Sequence, residues 1–382
     1  MLFLVLKEVI TIKKILFGIT SLTLGGAERV LVDISSKLSE KYDITIFSIY
    51  DNGELKNDLN KNVKFKALYN CRYDELTKLQ KMWIPIKILL FSKIIYNKKI
   101  KQNYDTEIAF LEGPITRLFS TKNKDVHKIA WIHNDIEKVF GNDLKSKIKK
   151  YIDKKIYKKY NDLVFVSQDN MEKFQNIYND LNTENMHVIY NYIDKDLVIK
   201  KSNYNIKVEF DYNSINFLTV CRLVKQKAID RFIRVHSKLI KQGLKHKVYI
   251  IGDGPEKENL QKLIKQENVE DTFILLGKKE NPYPYIKNAN YFCLLSEFEG
   301  YGMVLEEAKI LNKPIIITNT AARECIENYP KALILENSED EIYDGLYKLL
   351  NDNDDKIFNN TQTSTEYDNT EKLQKIIELV GD

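Results

Sequence analysis

The sequence of 382 residues is poor in metal-ligating side chains and has no long apolar run. Its four cysteines and five histidines are scattered, and no pair has the spacing of a zinc site. Cys221 and Cys293 lie in or beside apolar runs, which predicts buried, reduced thiols. No stretch approaches the roughly 20 apolar residues of a transmembrane helix, and the N-terminal segment MLFLVLKEVI lacks a signal-peptide pattern. We therefore expect a protein that is cytosolic or lies on a membrane surface. Met1–Val9 is expected to be a loose lead-in or to follow from an upstream start codon, so that residues 1–10 need not belong to the native chain.

The three-glycine dinucleotide fingerprint is also absent. Gly25 and Gly26 alone stand where the first strand meets its helix, although Asp51 follows the next strand at the place of a ribose-binding acid. A nicotinamide or flavin cofactor is therefore disfavoured. The two Asp-x-Asp triplets, at 194–196 and 352–354, are poor metal sites, because a lysine separates the first pair and the second lies in a polar linker. The sequence predicts neither a cofactor nor a metal.

Length and periodicity predict two domains. A chain of 382 residues exceeds one ordinary core, and 43% hydrophobic with 30% charged residues is typical of a soluble globular protein. Strand-like apolar runs alternate with helices, which indicates α/β domains with doubly wound parallel sheets. The pattern restarts after a polar junction near residue 200. We predict Rossmann-like domains at 1–200 and 201–365, and a last helix within 366–382 that packs back on the first domain.

Charged and glycine residues follow several predicted strands of the second domain. Arg222 and Lys227 follow the strand at 216–220, and the turn GDGP at 252–255 ends another strand. Open α/β sheets bind ligands at the carboxyl ends of their strands. Two cations there suit a nucleotide diphosphate, in the ground state and as a leaving group, whereas alone they would more often be solvated loop charges.

The segment SEFEGYGMVLEE, at 296–307, follows a third strand of this domain. Strand, glycine loop and helix present backbone N–H groups and the positive end of a helix to an anion. Glu299 lies in the loop and Glu307 two turns further, so that one carboxylate is available at each end of a bound molecule. Alone, the segment reads equally well as an ordinary strand–helix junction.

Polar residues also end strands in the first half. His133 follows the strand at 128–132, and Ser167 and Asn191 follow two later strands. His133 would donate a hydrogen bond to a sugar or a diphosphate, but a lone histidine is more often a structural residue. Ser167 and Asn191 are equally compatible with capping a helix or a turn.

Together these motifs resemble the retaining glycosyltransferases of family 4, which have the GT-B fold, and the resemblance covers nearly the whole chain. The family's double-glutamate motif, beginning E-G-(F/Y)-G with seven residues between its acids, is matched by Glu299 and Glu307. Its Arg and Lys pair is matched by Arg222 and Lys227, and its first-domain histidine by His133. The resemblance assigns donor binding to Gly25, Gly26, Asn191, Asp253, Gly254, Pro255, Gly300, Tyr301, Gly302, Met303, Val304 and Glu307.

The resemblance implies two Rossmann-like domains facing across a cleft, with a nucleotide diphosphate sugar, UDP-linked, held mainly by the second. Arg222 and Lys227 would then hold the diphosphate, Glu299 the sugar hydroxyls and Glu307 the ribose. Arg222, Lys227, Glu299 and His133 would form the catalytic group, with His133 near the sugar and acceptor. The family transfers sugars with retention and usually without a metal, the leaving phosphate accepting the proton of the acceptor.

The charge distribution suggests where an acceptor binds. Residues 1–200 carry 34 Lys and Arg against 25 Asp and Glu, and residues 201–382 carry 25 against 29. The family's first domain binds the acceptor. The stretch TEIAFLEGP at 106–114 resembles polysaccharide-assembly members, which implies a lipid-linked glycan acceptor in capsule, exopolysaccharide or O-antigen synthesis at the inner face of the cytoplasmic membrane.

Two basic stretches of the first domain mix lysines with apolar residues, at 138–159 and at 83–101. Such stretches suit an anionic membrane surface, but each equally fits a solvated helix whose apolar side packs on the sheet. Nucleic acid is a poorer partner, because no aromatic–basic interleaving supports it. For the first stretch we assign membrane contact to Lys147, Lys150, Lys154 and Lys158.

Two rival functions remain. A UDP-sugar 2-epimerase shares the fold, but its motifs do not match Glu299 and Glu307 with Arg222 and Lys227. A non-catalytic partner subunit of an assembly complex has no need of these four residues, so their presence argues against it.

Overall fold

A computed structural model describes residues 12–23, 25–51, 53–73, 75–121, 123, 125–134, 144–352, 358, 367 and 369–381. Residues 1–10, residues 138–143 of the first basic stretch, residues 353 and 354 of the second Asp-x-Asp triplet, and 366 and 368 at the start of the last predicted segment lie outside these ranges. The chain divides into two compact units, residues 1–192 with 370–382 and residues 193–369. Within the described ranges, no helix has the length and apolarity that a membrane crossing requires.

The first unit is built on a parallel sheet of seven strands in the order β3-β2-β1-β4-β5-β6-β7. The central strands are buried on both faces, as their continuous apolar runs predict. The strands are β1 Lys14–Ile19, β2 Asp43–Tyr50, β3 Lys64–Tyr69, β4 Thr106–Ala109, β5 His127–Ile132, β6 Asp162–Phe165 and β7 Met186–Val188. The helices between them are α1 Gly26–Leu38, α2 Lys78–Ile95, α3 Pro114–Phe119, α4 Leu144–Tyr157 and α5 Gln168–Ile177.

The second unit repeats this plan with six parallel strands in the order β10-β9-β8-β11-β12-β13. Its strands are β8 Ile215–Val220, β9 His246–Ile251, β10 Phe273–Gly277, β11 Tyr291–Leu294, β12 Ile315–Thr318 and β13 Ala332–Leu335. Its helices are α6 Lys195–Ser202, α7 Ile229–Lys241, α8 Lys257–Gln266, α9 Tyr283–Asn288, α10 Met303–Ile310 and α11 Glu339–Asp352. Neighbouring strand residues Phe217 and Leu218 enter different apolar clusters, one with α7 and one with α10. The prediction of two doubly wound α/β domains is confirmed.

The unit boundary lies at residues 192/193, eight residues before the predicted one. Packing explains the difference, because Ile193 and Val198 of the α6 region are buried in the same apolar cluster as Leu218. The second unit ends at 369, and the last helix, α12 Thr370–Gly381, belongs to the first unit. There the hydroxyl of Thr106 donates to the carbonyl of Val380 at 3.4 Å.

The first unit contains a buried ion pair between β4 and β5. The Lys128 ammonium lies 2.5 Å from Glu107 Oε2 and also donates to the carbonyl of Phe119 at 2.9 Å. The Tyr96 hydroxyl donates to Glu107 Oε1 at 2.6 Å. Because both charged side chains are almost fully buried, this network stabilises the sheet only while it remains complete.

Candidate active site

The polar loops of the second unit follow adjacent strands. Strand β8 lies between β9 and β11, and all three run parallel. The loops after them therefore emerge side by side at the carboxyl edge of the sheet. The predicted residues of 222–227, 252–255 and 296–307 all belong to these loops or to α10, directly after the third loop.

The loops after β8 and β9 touch through their backbones, and glycines make this contact possible. The Leu223 N–H donates to the carbonyl of Asp253 at 2.9 Å. Gly252 has a φ of +147°, and a Cβ on it would lie 1.8 Å from the carbonyl oxygen of Cys221. A Cβ on Gly254 would lie 2.3 Å from the carbonyl oxygen of Leu223. The GDGP turn is therefore required by close backbone approach, and the Asp253 carboxylate itself is exposed.

The loop after β8 is also joined to the loop after β11. The Glu297 N–H donates to the carbonyl of Gln226 at 2.9 Å, and the Gln226 side-chain amide donates to the carbonyl of Phe298 at 2.9 Å. The hydroxyl of Thr318, on β12, donates to the carbonyl of Ser296 at 2.6 Å. These bonds fix the loop that carries Glu299.

Lys227 and Glu299 form an ion pair across the two loops, 72 residues apart in the chain. The Glu299 Oε1 atom accepts the Lys227 ammonium and also the Ser296 hydroxyl, the latter at 2.6 Å. Lys227 is 18% exposed and Glu299 8% exposed, so the pair is largely shielded from water. Each charge is the partner that keeps the other stable there.

Arg222 and Glu307 occupy different positions at the same edge. Arg222 is exposed, and its guanidinium makes no hydrogen bond or ion pair within the ranges that the structure describes. Glu307 lies on α10 and is 9% exposed, and the Tyr283 hydroxyl donates to its Oε1 atom at 3.0 Å. At this edge, Arg222 is therefore an exposed cation, whereas the carboxylate of Glu307 is held by the hydroxyl of Tyr283.

The residues between the two glutamates form the start of α10. Gly302 precedes the helix, and Met303 and Val304 form its first turn, their side chains packing on the apolar cluster. The Tyr301 hydroxyl donates to Glu306, and burial raises the pKa of Tyr301 well above its usual range. The side chains of Tyr301, Met303 and Val304 therefore serve packing, so a ligand at this stretch would meet its backbone N–H groups.

In the first unit, His133 follows β5 and is held by its backbone. Its N–H donates to Glu112 Oε1 at 2.6 Å, and the Asn134 N–H donates to the same atom at 2.7 Å. The imidazole contacts Phe110, with ring centroids 4.7 Å apart, and its Nε2 atom has no hydrogen-bond partner in the described part of the chain. Burial lowers the pKa of His133 to about 3, so the ring is neutral at physiological pH.

Glu112 is a further candidate site residue, which the sequence analysis did not select and which contacts the backbone of His133. The pKa of its carboxyl is raised, because the effect of burial exceeds the opposing effect of the hydrogen bonds from residues 133 and 134. It lies in the stretch TEIAFLEGP, directly after β4 and next to β5 in the sheet. An acid at a strand end beside another strand end was the available signal, because neighbouring parallel strands bring such residues together.

The remaining first-unit residues have simpler surroundings. Gly25 precedes α1, and Gly26 is its first residue. In the first turn of this helix, burial raises the pKa of Glu28. The Ser167 hydroxyl accepts the Asn170 N–H at 3.1 Å and so caps α5. The Asn191 Oδ1 atom is buried and has no partner among the residues described, which leaves it available to a ligand.

Three of the lysines that we assigned to a membrane lie in helix α4, and Lys158 follows its last residue. Lys154 and Lys158 form ion pairs with Asp180, whereas Lys147 is exposed and Lys150 is half-buried. Of its apolar residues, Ile156 is buried and Ile152 packs on the core, while Ile148 and Tyr151 are exposed. The C-terminal half of α4 is therefore an ordinary packed helix.

No group of three or more His, Cys, Asp or Glu side chains within the described ranges is placed to hold a metal ion. All four cysteines are free thiols; Cys293 is buried and Cys221 half-buried.

The family model and the relatives whose sequences this chain resembles are glycosyltransferases. Residues 200–365 match the family model described as glycosyl transferases group 1. The chain is 28% identical to the N-acetylgalactosamine-N,N'-diacetylbacillosaminyl-diphospho-undecaprenol 4-alpha-N-acetylgalactosaminyltransferase of Campylobacter jejuni, over 87% of this chain and 89% of that protein. It is 24% identical to the O-antigen biosynthesis glycosyltransferase WclY of Escherichia coli, over 80% of each chain. Its fold resembles that of Anabaena HepE, solved with UDP and glucose, with a TM-score of 0.74 and 17% identity over 97% of this chain and 99% of that one.

Proposed function

The chain belongs to the glycosyl transferases group 1 family and has the GT-B fold, and from this premise we propose a specific reaction. We propose that it is a retaining, metal-independent enzyme of glycosyltransferase family 4. It moves a hexose or N-acetylhexosamine from a UDP-sugar to a lipid-linked oligosaccharide or polysaccharide. The names of its relatives support this reaction, since the Campylobacter jejuni protein acts on a diphospho-undecaprenol and the Escherichia coli protein serves O-antigen biosynthesis.

One observation carries the proposal: the Lys227–Glu299 pair lies in the loops at the carboxyl edge of the second sheet, and the helix that carries Glu307 begins at residue 303, directly after one of these loops. Lys227 and the exposed Arg222 supply positive charge for a diphosphate. Glu299 accepts hydrogen bonds from sugar hydroxyls, and Glu307 from the ribose. The solved HepE complex with UDP and glucose, a protein of similar fold, supports a UDP-linked donor.

The ion pair gives the site a way to respond to its substrate. Without ligand, Lys227 and Glu299 neutralise each other in a shielded position. An arriving diphosphate offers Lys227 a stronger anionic partner, and Glu299, still bonded to Ser296, is released to accept the hydroxyls of the sugar. Donor binding therefore replaces one charged contact with two.

The reaction follows from these contacts. The bond between the anomeric carbon and the diphosphate oxygen breaks, and the departing oxygen carries the electrons into the field of Lys227 and Arg222. The acceptor oxygen bonds to the same face of the sugar, and its proton passes to the leaving phosphate. An alpha product from an alpha-linked donor is the outcome of retention, which agrees with the alpha linkage in the name of the Campylobacter jejuni relative. His133, neutral because of its low pKa, contributes a hydrogen bond rather than a charge.

The first domain is assigned to the acceptor, and the enzyme to the inner face of the cytoplasmic membrane, in capsule, exopolysaccharide or O-antigen synthesis. Its basic composition supports an anionic surface or acceptor.

Nucleotide release from a panel of UDP- and GDP-sugars, with and without EDTA, tests the reaction, and NMR of the product gives its anomeric configuration. Release of UDP from at least one donor in EDTA, with an alpha product, is expected. Inversion, or activity that needs a metal, would contradict the proposed mechanism. Conversion of the donor sugar to another sugar without an acceptor would point to an epimerase. Absence of nucleotide release from every donor would point to a non-catalytic subunit.

A further inference from the structure

Helix α2 exposes an apolar stripe on the first unit. Five apolar side chains at helical spacing are between 38% and 67% exposed: Leu79, Met82, Trp83, Ile86 and Leu90. Beyond a kink at Phe91, Ile94 is 53% exposed. The opposite side of the helix, with Ile84 and Ile88, is buried against the domain. A helix that is apolar on both sides needs a partner for the side that the domain leaves uncovered.

The charge around the stripe indicates the chemistry of that partner. Residues 78–101 include seven lysines and no aspartate or glutamate. A second copy of this chain, docked stripe to stripe, would bring these lysines against their own equivalents. Anionic lipid headgroups instead complement the lysines, and acyl chains complement the stripe.

The contrast with α4 points the same way. Asp180 pairs with Lys154 of α4 and with Lys158 just after the helix, and the C-terminal apolar residues of α4 are packed in the domain. Helix α2 is thus the better of the two basic segments for contact with a bilayer.

We propose that α2 lies in the plane of an anionic membrane, with its exposed stripe inserted among the acyl chains and its lysines at the headgroups. The proposal rests on the proposed function for its purpose, since the membrane carries the lipid-linked acceptor. The binding itself needs no sugar substrate.

The two tryptophans of the chain make a direct test possible. Trp83 is 58% exposed on the stripe, whereas Trp131 is 1% exposed in the core. Vesicles of 30% phosphatidylglycerol in phosphatidylcholine should shift the emission of the wild-type protein to the blue at low salt, and pure phosphatidylcholine should do so much less. The shift should vanish in Trp83→Phe, which still floats with the anionic vesicles.

A triple variant, Leu79→Ser with Leu90→Ser and Ile94→Ser, should bind these vesicles roughly tenfold or more weakly. Its nucleotide release in solution should match that of the wild type. A matched triple of exposed residues in the second unit, Tyr204→Ser with Ile206→Ser and Tyr212→Ser, should bind vesicles normally.

Unchanged emission of the wild type with anionic vesicles overturns the proposal. So does a wild-type dimer in solution that the stripe variant converts to a monomer, because a second copy then covers the stripe. Vesicle binding without nucleotide release from any donor would refute the proposed reaction and leave the membrane contact standing.

Discussion

Glu299→Gln should separate the two roles of the Lys227–Glu299 pair. The substitution keeps the shape of the side chain and its bond with Ser296 but removes the charge that holds Lys227. Lys227 can then bind a diphosphate without first breaking its ion pair with residue 299. We therefore expect UDP to bind more tightly while transfer of the sugar becomes slower.

The expected changes in UDP affinity and in turnover can each be estimated. Two unit charges about 6 Å apart interact by about 2.8 kcal/mol at an effective dielectric of 20, and partial exposure reduces this repulsion between Glu299 and the diphosphate to about 1–2 kcal/mol. UDP should therefore bind about 5–30-fold more tightly to Glu299→Gln. A hydrogen bond to a charged acceptor is worth about 1.5–3 kcal/mol, so the loss of the carboxylate should slow turnover by about 10–100-fold.

Calorimetric titration of UDP and the kinetics of nucleotide release measure the two effects separately. Glu297→Gln is the matched control, because it removes the same charge from an exposed side chain of the same loop and should leave both values within about twofold. If Glu299→Gln weakens UDP binding together with turnover, Glu299 does not compete with the diphosphate for Lys227, and the pair is structural.

Three further predictions concern the fold that supports the site. Gly252→Ala should lower both the melting temperature and the turnover, because the new Cβ would lie 1.8 Å from a carbonyl oxygen. Gly243→Ala is the control: this glycine has a φ of +83°, but no atom lies within 4 Å of an added Cβ, so the change should lower the free energy of unfolding by about 1 kcal/mol and leave turnover intact. Glu107→Gln should cost about 3–5 kcal/mol in urea unfolding followed by tryptophan fluorescence, and adding Lys128→Met should restore much of it; equal stability of the single variant would contradict the buried pair. Burial lowers the pKa of His246 to about 4, so on acidification the unfolded chain binds a proton at a higher pH than the folded chain does. The free energy of unfolding should therefore fall as the pH drops from about 6.5 towards 4, by up to about 1.4 kcal/mol per pH unit. Circular dichroism melts should show a weaker pH dependence in His246→Asn.

The placement of the candidate site followed from sequence reasoning because parallel strands end at one edge of their sheet. Arg222, Lys227, Glu299 and Gly252 were expected at that edge, and the strand order β9-β8-β11 brings their loops together. Their individual pairings could not be predicted. Lys227 and Glu299 are 72 residues apart, and only the tertiary register of two loops makes them partners.

The first domain shows a different limit. Periodicity marked apolar residues on both basic helices, but it does not say which apolar face the sheet will cover. Packing covers Ile156 of α4 and leaves Trp83 and Leu90 of α2 exposed. Glu112 was missed for the same reason, because its bonds to the backbone of His133 depend on neighbouring strands rather than on neighbours in the chain.

Nucleotide release by the wild type, Glu299→Ala and Glu307→Ala is the most direct test of the claim that this sheet edge binds and activates a nucleotide diphosphate sugar. With the best donor of the panel, each variant should lose roughly 100-fold or more of the turnover, because each removes a charged acceptor for the donor. Both should keep the circular dichroism spectrum of the wild type. Near wild-type turnover in either variant would contradict the assignment of the site.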